Sequence, residues 1–434
     1  MSTTGHIIDH LSGNELDVNV GQNIALNCAA FSDLGALDSL DADLLRVAAY
    51  TYAADLAVRR QEREQHIRSI TLRVPVANLH AFERVHSTME AALTTLSRDN
   101  WMLEFTGLIG RTPAVNCPWP QSDRWTLLFS GGLDSFAGAV YLLGLKRDLT
   151  LVSHVTHNRP MAAAQIGLGK ALCGFTRREI RHVPVRVFGR NHSAKAFPAD
   201  HHREDTQRTR SFLFTSLAAV AARVSGSRRI VVMAENGQFA IHLPLSEARI
   251  GSFSTHTAHP KFLFQMREIL RNLFICEDLE LDNPFVDYTK GEVVALLPKK
   301  LRKYIRQSIS CWRASRVSVS HTHCGVCIPC LCRRIATEAH RISIPEYERD
   351  LFREDVGALD ANDLGKRNLV DLCQFVTLFA GPNKLASEQE LCLEFPELLD
   401  AHVEAPRAIA MYRRFADEAL RVFDEYPRVK SLLR

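Results

Sequence analysis

A glycine-rich segment between a strand pattern and a helix pattern constrains this chain most. The apolar run at residues 125–129 predicts a buried strand, and helical periodicity begins at Phe136. The segment between them consists of Ser130, Gly131, Gly132, Leu133, Asp134 and Ser135. Two glycines let the backbone present N–H groups to an anion, the serine hydroxyls can donate, and the helix adds its positive N-terminal end. The sequence therefore predicts a phosphate-binding loop.

Other nucleotide-binding motifs are disfavoured by the residues at their key positions. The nearest P-loop candidate, at residues 167–170, has Ala164 where a Walker loop needs glycine and Ala171 where it needs serine or threonine. No Gly-x-Gly-x-x-Gly fingerprint follows a predicted strand, which argues against a Rossmann dinucleotide site.

Strand and helix patterns alternate through the middle of the chain. Strands are predicted at residues 125–129, 149–155, 182–188 and 229–234, each followed by a helical stretch. This alternation predicts an α/β fold with a doubly wound parallel sheet, whose ligands bind at the carboxyl ends of the strands. We therefore expect the loops after these strands, including residues 235–237, to form the active site.

Cysteines form a second motif far along the chain. The proposed ligands are Cys311, Cys324, Cys327 and Cys330. Four thiolates suit tetrahedral zinc, and a closed shell without a water position predicts a structural site. Cys311 lies furthest from the others in sequence, and the residues that could replace it are His321, His323 and Cys332. Buried or redox-active cysteines are the alternative interpretation.

Together, and in this order, the two motifs resemble the QueC family of 7-cyano-7-deazaguanine synthases. The resemblance covers about residues 125 to 336 and includes segments at residues 209–219 and 283–292. It implies a PP-loop, HUP-like domain that binds ATP and splits it between the α and β phosphates. It also implies Mg²⁺ and structural zinc as further cofactors. Thr209 and Ser211 depart from the glycine and asparagine of the family pattern.

The resemblance also implies roles for individual residues. The loop from Ser130 to Ser135 would bind ATP, Arg210 would contact its phosphates, and Lys290 is a weaker candidate for the same role. Asp134 would orient the loop or hold Mg²⁺.

The implied activity is that of an ATP-dependent ligase that adenylates the carboxylate of 7-carboxy-7-deazaguanine and transfers the acyl group to an amine, with release of AMP and pyrophosphate. A flat deazapurine needs a stacking ring and hydrogen bonds to its edge. Candidate substrate-binding residues are Asn236, Phe239, Phe253 and His256. The candidates for a base that deprotonates the amine are His157, His256 and His259.

The chain adds about a hundred residues at each end of the region of resemblance. In this it resembles the QueC-like proteins of bacterial anti-phage operons, among them QatC and the related component of type IV CBASS, which implies a protein amine or a defence-operon protein as partner. Alternatives are an ammonia-using 7-cyano-7-deazaguanine synthase, a non-catalytic nucleotide-binding scaffold, and a tRNA-thiolating enzyme in which Cys173 would be the reactive cysteine.

Length and apolar content suit several domains with a substantial core. The predicted divisions are an N-terminal α+β accessory domain (1–115), an ATP-binding domain (122–300), a zinc-binding segment (301–340) and a helical C-terminal region (341–434). Within the first, helices are predicted at residues 42–60 and 82–96 and a strand at 70–76, before a linker at 116–120.

Composition bears on location and partners. The 11 cysteines fit a reducing compartment, and neither a membrane span nor a secretory signal is visible, so we expect a cytoplasmic protein. Arginine clusters around residues 177–190 and 203–210 read as solvated helix faces, and we expect no nucleic-acid partner because no basic strand with interleaved aromatics accompanies them. A homodimer is compatible with the sequence.

Overall fold

The computed structural model describes residues 3–60, 67–108, 119, 122–155, 158–190, 197–231, 234–245, 257–317, 320–342, 347–380 and 384–433. Its strands are β1 (Gly5–Asp9), β2 (Glu15–Val18), β3 (Ile24–Leu26), β4 (Ser69–Val76), β5 (Asn100–Gly107), β6 (Ser122–Leu128), β7 (Leu149–Val155), β8 (Arg181–Gly189), β9 (Ser227–Val231) and β10 (Glu280–Asp282). Its helices are α1 (Ser39–Ala57), α2 (Leu79–Ser97), α3 (Leu133–Gly144), α4 (Arg159–Thr176), α5 (Arg210–Ser225), α6 (Gly237–Ile241), α7 (Pro260–Phe274), α8 (Lys290–Ala295), α9 (Lys299–Arg302), α10 (Ile328–Ala339), α11 (Leu364–Phe379), α12 (Glu388–Glu394), α13 (Ala405–Phe423) and α14 (Pro427–Lys430).

A six-stranded sheet forms the centre of the molecule, in the order β10-β9-β6-β7-β8-β3. The strands from β6 to β10 are parallel, and β3 adds to the β8 edge in the antiparallel sense. The predicted α/β class with parallel strands is confirmed. Along this sheet the order of strands runs outwards in both directions from β6. The carboxyl ends of β6 and β9 therefore lie side by side at the point where the strand order reverses.

The N-terminal segment forms a second, four-stranded sheet, in the order β2-β1-β4-β5. Helices α1 and α2 lie between the two sheets, because α1 packs on β4 and α5, and α2 packs on β5 and α7. Since β3 belongs to the central sheet, this segment is joined to the central α/β region through both an edge strand and a helical layer. The domain boundaries remain predictions, and the linker falls outside the described residues apart from Trp119.

Capping explains where several helices begin. Helix α1 starts three residues before the predicted position 42, because the Asp38 side chain accepts a hydrogen bond from the Asp41 N–H at 2.9 Å and the Asp41 side chain accepts one from the Asp38 N–H at 3.1 Å. It ends at Ala57 rather than at residue 60, since Val58 is extended. Helix α8 has the same reciprocal cap, made by Thr289 and Glu292.

Three cores account for the buried apolar residues of the described chain. Leu128 and Val152 face α5 and α7 on one side of the central sheet, and Leu127 and Leu151 face α3 and α8 on the other. The third core joins α10, α11 and α13 and includes the clustered cysteines, such as Cys330. The helical C-terminal region therefore packs against the zinc-binding segment.

An ion network is buried where α1 meets the N-terminal sheet. The side chain of Arg68 is fully buried, and its Nη2 atom lies 2.5 Å from Asp55 Oδ1 and 2.6 Å from Asp99 Oδ2. A buried charge is tolerated only when its partners remain in place, so this network links α1 to the start of β4 and β5.

Membrane insertion through a helix finds no support: in the parts of the chain that the structure describes, none of the helices is both long enough and apolar enough to cross a bilayer.

Glycine at position 138 of α3 is required by close packing on Ala234. A Cβ atom at Gly138 would collide with the Ala234 Cβ, whereas a Cβ at Gly144 in the same helix would have no neighbour within 4 Å. We expect Gly138→Ala to lower the free energy of unfolding by about 1–3 kcal/mol, because the helix must move off the sheet. The matched variant Gly144→Ala should be neutral or stabilising by up to about 1 kcal/mol. Denaturant unfolding measures both, and equal effects would contradict this packing.

Candidate functional site

The loop after β6 has a backbone shape that favours glycine. Gly131 has φ +81°, and a Cβ atom there would lie 3.1 Å from the Gln165 backbone nitrogen. Its carbonyl accepts a hydrogen bond from the Ile309 N–H at 3.0 Å, and the Ser130 carbonyl accepts one from Gln165 Nε2 at 3.3 Å. Two distant parts of the chain, α4 and the segment before the cysteine cluster, therefore hold this loop in place.

Helix α3 begins directly after this loop with free donors in its first turn. Gly132 is the N-cap and supplies no side-chain acceptor. The Ser130 and Ser135 hydroxyls lie 3.2 Å apart, and Ser130 Oγ accepts from the Gly132 N–H at 3.2 Å. First-turn N–H groups without a side-chain cap, two hydroxyls and the positive end of a helix of 12 residues are the features that a phosphate-binding site needs.

A buried ion pair lies beside this helix start. Lys290 Nζ lies 2.6 Å from Asp134 Oδ2, and Asn236 Nδ2 donates to the same oxygen at 3.2 Å. All three side chains are buried. Three predicted site residues are thus brought together, because α3 follows β6, Asn236 follows the neighbouring β9, and α8 presents Lys290. The family resemblance made Lys290 a weaker candidate than Arg210, and the structure makes Lys290 the central cation of this cluster.

Glu235 also belongs to this cluster; the sequence placed it in a loop expected at the active site but assigned it no individual role. Burial and the neighbouring Asp134 carboxylate raise the pKa of Glu235 to about 8, although Lys290 opposes the shift. Its side chain therefore carries a proton at neutral pH. In the sequence, the position of Glu235 after the β9 strand and next to Asn236 is the feature that indicates a site residue.

Buried polar atoms without partners converge on the same place. Among the described residues, Asp134 Oδ1, Asn236 Oδ1 and Gln238 Nε2 are buried and have no hydrogen-bond partner. Such orphaned atoms in a folded protein indicate a bound polar group or ion. The Asp134 carboxylate and the Asn236 amide oxygen are ligands that Mg²⁺ accepts, so the donor set fits a metal ion that binds together with phosphates.

The other predicted residues lie at varying distances from this cluster. Arg210 is exposed at the start of α5, with its guanidinium 5.5 Å from the Phe214 ring centre, and no described contact joins it to the loop. The ring of Phe239 lies 5.4 Å from Lys290 Nζ, so this candidate stacking residue is at the site. His259 Nδ1 accepts from the Lys261 N–H at 3.2 Å as the cap of α7. The candidates that fall outside the described residues are His157, Phe253 and His256.

Four cysteines form a separate, buried cluster. The Sγ atoms of Cys311, Cys324, Cys327 and Cys330 all lie within 4.8 Å of one another. Individual distances are 3.4 Å between Cys327 and Cys330, 3.9 Å between Cys327 and Cys311, and 4.0 Å between Cys324 and Cys330. Zinc bound to four sulfur atoms at 2.3 Å in a tetrahedron separates them by about 3.8 Å. The cluster could therefore hold zinc, and Cys311 belongs to it.

The spare ligand candidates have other surroundings. His323 Nε2 accepts from the Ser310 N–H at 3.2 Å, and burial lowers the pKa of His323 to about 2. Cys332 is buried outside the four-cysteine group, and burial raises the pKa of its thiol to about 12. Gly325 has φ +77°, and a Cβ atom there would collide with the Arg349 carbonyl, which explains glycine in this turn.

Hydrogen bonds connect the cysteine cluster to the loop after β6. Arg333 follows the last cysteines in α10 and is fully buried, and its Nη1 donates to the hydroxyls of Ser308 and Ser310 at 3.0 and 3.1 Å. Ile309, between these serines, donates its N–H to the Gly131 carbonyl. A zinc ion that held α10 in place would also hold the backbone that supports the loop.

Comparison with known families places this site in context. The family model described as "Queuosine biosynthesis protein QueC" matches residues 124–341, a region that includes the loop, Lys290 and all four cysteines. Residues before 124 and after 341 lie outside the match. A comparison of the chain with curated proteins gives no match.

The cysteine cluster makes a prediction about bound metal. Cys327→Ser should lower the zinc content measured by elemental analysis and reduce the thermal stability of the protein, because one of four thiolates is lost. The matched variant Cys332→Ser alters a buried cysteine outside the group and should keep its zinc. Zinc retained at wild-type stoichiometry in Cys327→Ser would contradict the assigned ligands.

The raised pKa of Glu235 makes a prediction about pH. Between the ordinary value of 4.5 and about 8, the folded protein keeps a proton that the unfolded chain has lost. The stability contributed by this group is therefore complete below pH 4.5 and is lost as the pH rises through 8. Glu235→Gln stays neutral, so its melting temperature should increase relative to wild type as the pH rises across this window. A difference that does not change with pH would refute the assigned pKa.

Proposed function

Because this chain belongs to the QueC family, whose members are ATP-using enzymes, we propose that it is a ligase that activates a carboxylate by adenylation and passes the acyl group to an amine. The proposed carboxylate is that of 7-carboxy-7-deazaguanine, in keeping with the resemblance described above. The fold of the ATP-binding region is proposed to be that of the PP-loop enzymes.

One observation carries the proposal: the buried Lys290–Asp134 ion pair lies at the start of α3, beside the glycine-bearing loop. The loop and the helix start offer N–H donors to phosphate oxygens, and Lys290 supplies a buried positive charge nearby. A preorganised cation in a site with little water stabilises the charge that develops on pyrophosphate as it leaves. Arg210 is proposed to neutralise the same leaving group from the start of α5.

The proposed chemistry has two steps. A carboxylate oxygen of the substrate attacks the α phosphorus of ATP, the bond to the bridging oxygen breaks, and pyrophosphate leaves with that electron pair. The neutral amine then attacks the acyl carbon, AMP leaves with the carboxylate-derived oxygen, and the amine loses a proton. Asp134 would hold Mg²⁺, which would supply further charge neutralisation at the phosphates.

Substrate recognition is proposed to involve Asn236 and Phe239, which lie beside Lys290. The ring of Phe239 offers a flat face to a deazapurine, and the unpaired Asn236 Oδ1 and Gln238 Nε2 offer an acceptor and a donor for its edge. Phe253 and His256 remain predicted contacts.

The proposed acceptor is an amine of a protein, in an anti-phage defence system. Support comes from the resemblance to QueC-like defence proteins and from the large segments on both sides of the matched region. The alternative is ammonia, with the amide then dehydrated to a nitrile. Mass spectrometry separates the two, because a protein acceptor gains the mass of the acylated deazaguanine, whereas ammonia gives a free small-molecule product.

Exchange of labelled pyrophosphate into ATP tests the adenylation step without knowledge of the acceptor. We expect exchange only when 7-carboxy-7-deazaguanine is present, and Lys290→Met should reduce it roughly 100-fold or more. Lys300→Met, which alters an exposed lysine nearby, should behave like wild type. The double variant Lys290→Met/Asp134→Asn avoids an unpaired buried carboxylate and should fold but remain inactive. Undiminished exchange in Lys290→Met, or the same exchange without the deazaguanine, would rule out the proposed reaction.

A further inference from the structure

The two proposed phosphate-binding cations occupy equivalent positions in the fold. Arg210 is the first residue of α5 and Lys290 is the first residue of α8. Each follows a fully buried threonine, Thr209 or Thr289. A positive side chain at the N-terminal end of a helix is electrostatically unfavourable, so both positions need compensation from elsewhere.

At Lys290 the charge is paired with Asp134, and the start of α8 is held by the C-terminal helix α13. Thr289 Oγ1 accepts a hydrogen bond from the Glu292 N–H at 3.0 Å and donates its own proton to Glu418 Oε1 at 2.9 Å. Glu418 is buried, and a Cβ atom at Gly291 would lie 2.5 Å from its Oε2. The carboxylate of Glu418 is therefore packed directly onto the first turn of α8.

A second residue of α13, Tyr412, supports the backbone of Lys290 through Gln238. The Tyr412 hydroxyl donates to the Gln238 carbonyl at 3.2 Å, and the Gln238 side-chain oxygen accepts from the Lys290 N–H at 2.7 Å. Helix α13 therefore holds Thr289 directly, through Glu418, and holds the backbone of Lys290 indirectly, through Gln238.

At Arg210 the start of α5 is held by the N-terminal helix α1. Asp55 is fully buried, and its Oδ2 accepts from the Thr209 N–H at 2.8 Å and from the Thr209 hydroxyl at 3.0 Å. Its other oxygen, Oδ1, is held by Arg68 at 2.5 Å. Thr209 makes no side-chain cap on α5, so its hydroxyl serves this contact with α1.

We propose that Asp55 and Glu418 are positioning residues for ATP-dependent adenylation, each fixing, through a threonine hydroxyl, the cation that begins the next helix. Both residues lie outside the region 124–341 that matches the family. The N- and C-terminal segments therefore contribute to the active site. Their residues orient Arg210 and Lys290 towards the β and γ phosphates. This inference rests on the proposed function.

The test compares the affinities for ATP and AMP by calorimetry, since AMP lacks the phosphates that the two cations would bind. Glu418→Met keeps the size of the side chain but removes the acceptor, and should weaken ATP binding about tenfold while leaving AMP binding unchanged. Asp55→Asn should do the same. Because Asp55→Asn also disturbs Arg68, Thr209→Val provides a second variant that removes only the hydroxyl.

Matched controls separate positioning from general stability. Asp43→Asn alters another buried carboxylate of α1, which bonds to Asn78 at 2.8 Å, and Asp417→Asn alters an exposed carboxylate next to Glu418 in α13. Both controls should keep the wild-type ratio of ATP to AMP affinity, even if Asp43→Asn melts at a lower temperature. In a cycle with Thr289→Val, the Glu418→Met effect should be non-additive because the two residues share one hydrogen bond.

An unchanged affinity ratio in Glu418→Met and Thr209→Val, or an equal change in the controls, would overturn the positioning role. The failure of the proposed function looks different: wild-type protein would then bind ATP no more tightly than AMP, or would show no pyrophosphate exchange.

Discussion

The buried ion pair between Lys290 and Asp134 is the interaction on which the rest of the site depends. It joins the first turns of α3 and α8 at 2.6 Å, with only 3% of the Lys290 side chain exposed. Removing one partner of such a pair would leave an uncompensated buried charge, which costs about 3–5 kcal/mol. The same contact therefore stabilises the packing of two helices and places a positive charge beside the phosphate-binding loop.

Three separate parts of the chain support the loop and the two proposed phosphate-binding cations. The zinc-binding segment reaches the loop through Ile309, and the C-terminal helix reaches Lys290 through Thr289 and Glu418. The N-terminal helix α1 reaches Arg210 through Thr209. Each support is a buried hydrogen bond, so it is short-ranged and directional, and a small displacement of any of these segments changes the geometry of the site.

Sequence periodicity predicted most of the long elements, although not the eight-residue strand β5, and missed the shortest ones. Strands β7 and β8 lie close to their predicted positions, because β7 is buried along almost its whole length and β8 alternates buried with exposed residues, and both patterns can be recognised in a sequence. The three-residue strands β3 and β10 were not predicted, since a strand of this length has no recognisable period. In addition, β3 pairs with a strand more than 150 residues away, and such a pairing leaves no local trace.

The sequence by itself determined the local chemistry: the glycine-bearing loop before a helix, and four cysteines at spacings that suit one metal ion. These features are readable because they depend on neighbours a few residues apart. Only the tertiary structure decided which side chains meet Asp134, that Glu235 is held protonated there, and that Asp55 and Glu418 support the two cations. Burial and ion pairing between residues more than 100 positions apart are set by how the layers pack, and no short sequence pattern records them.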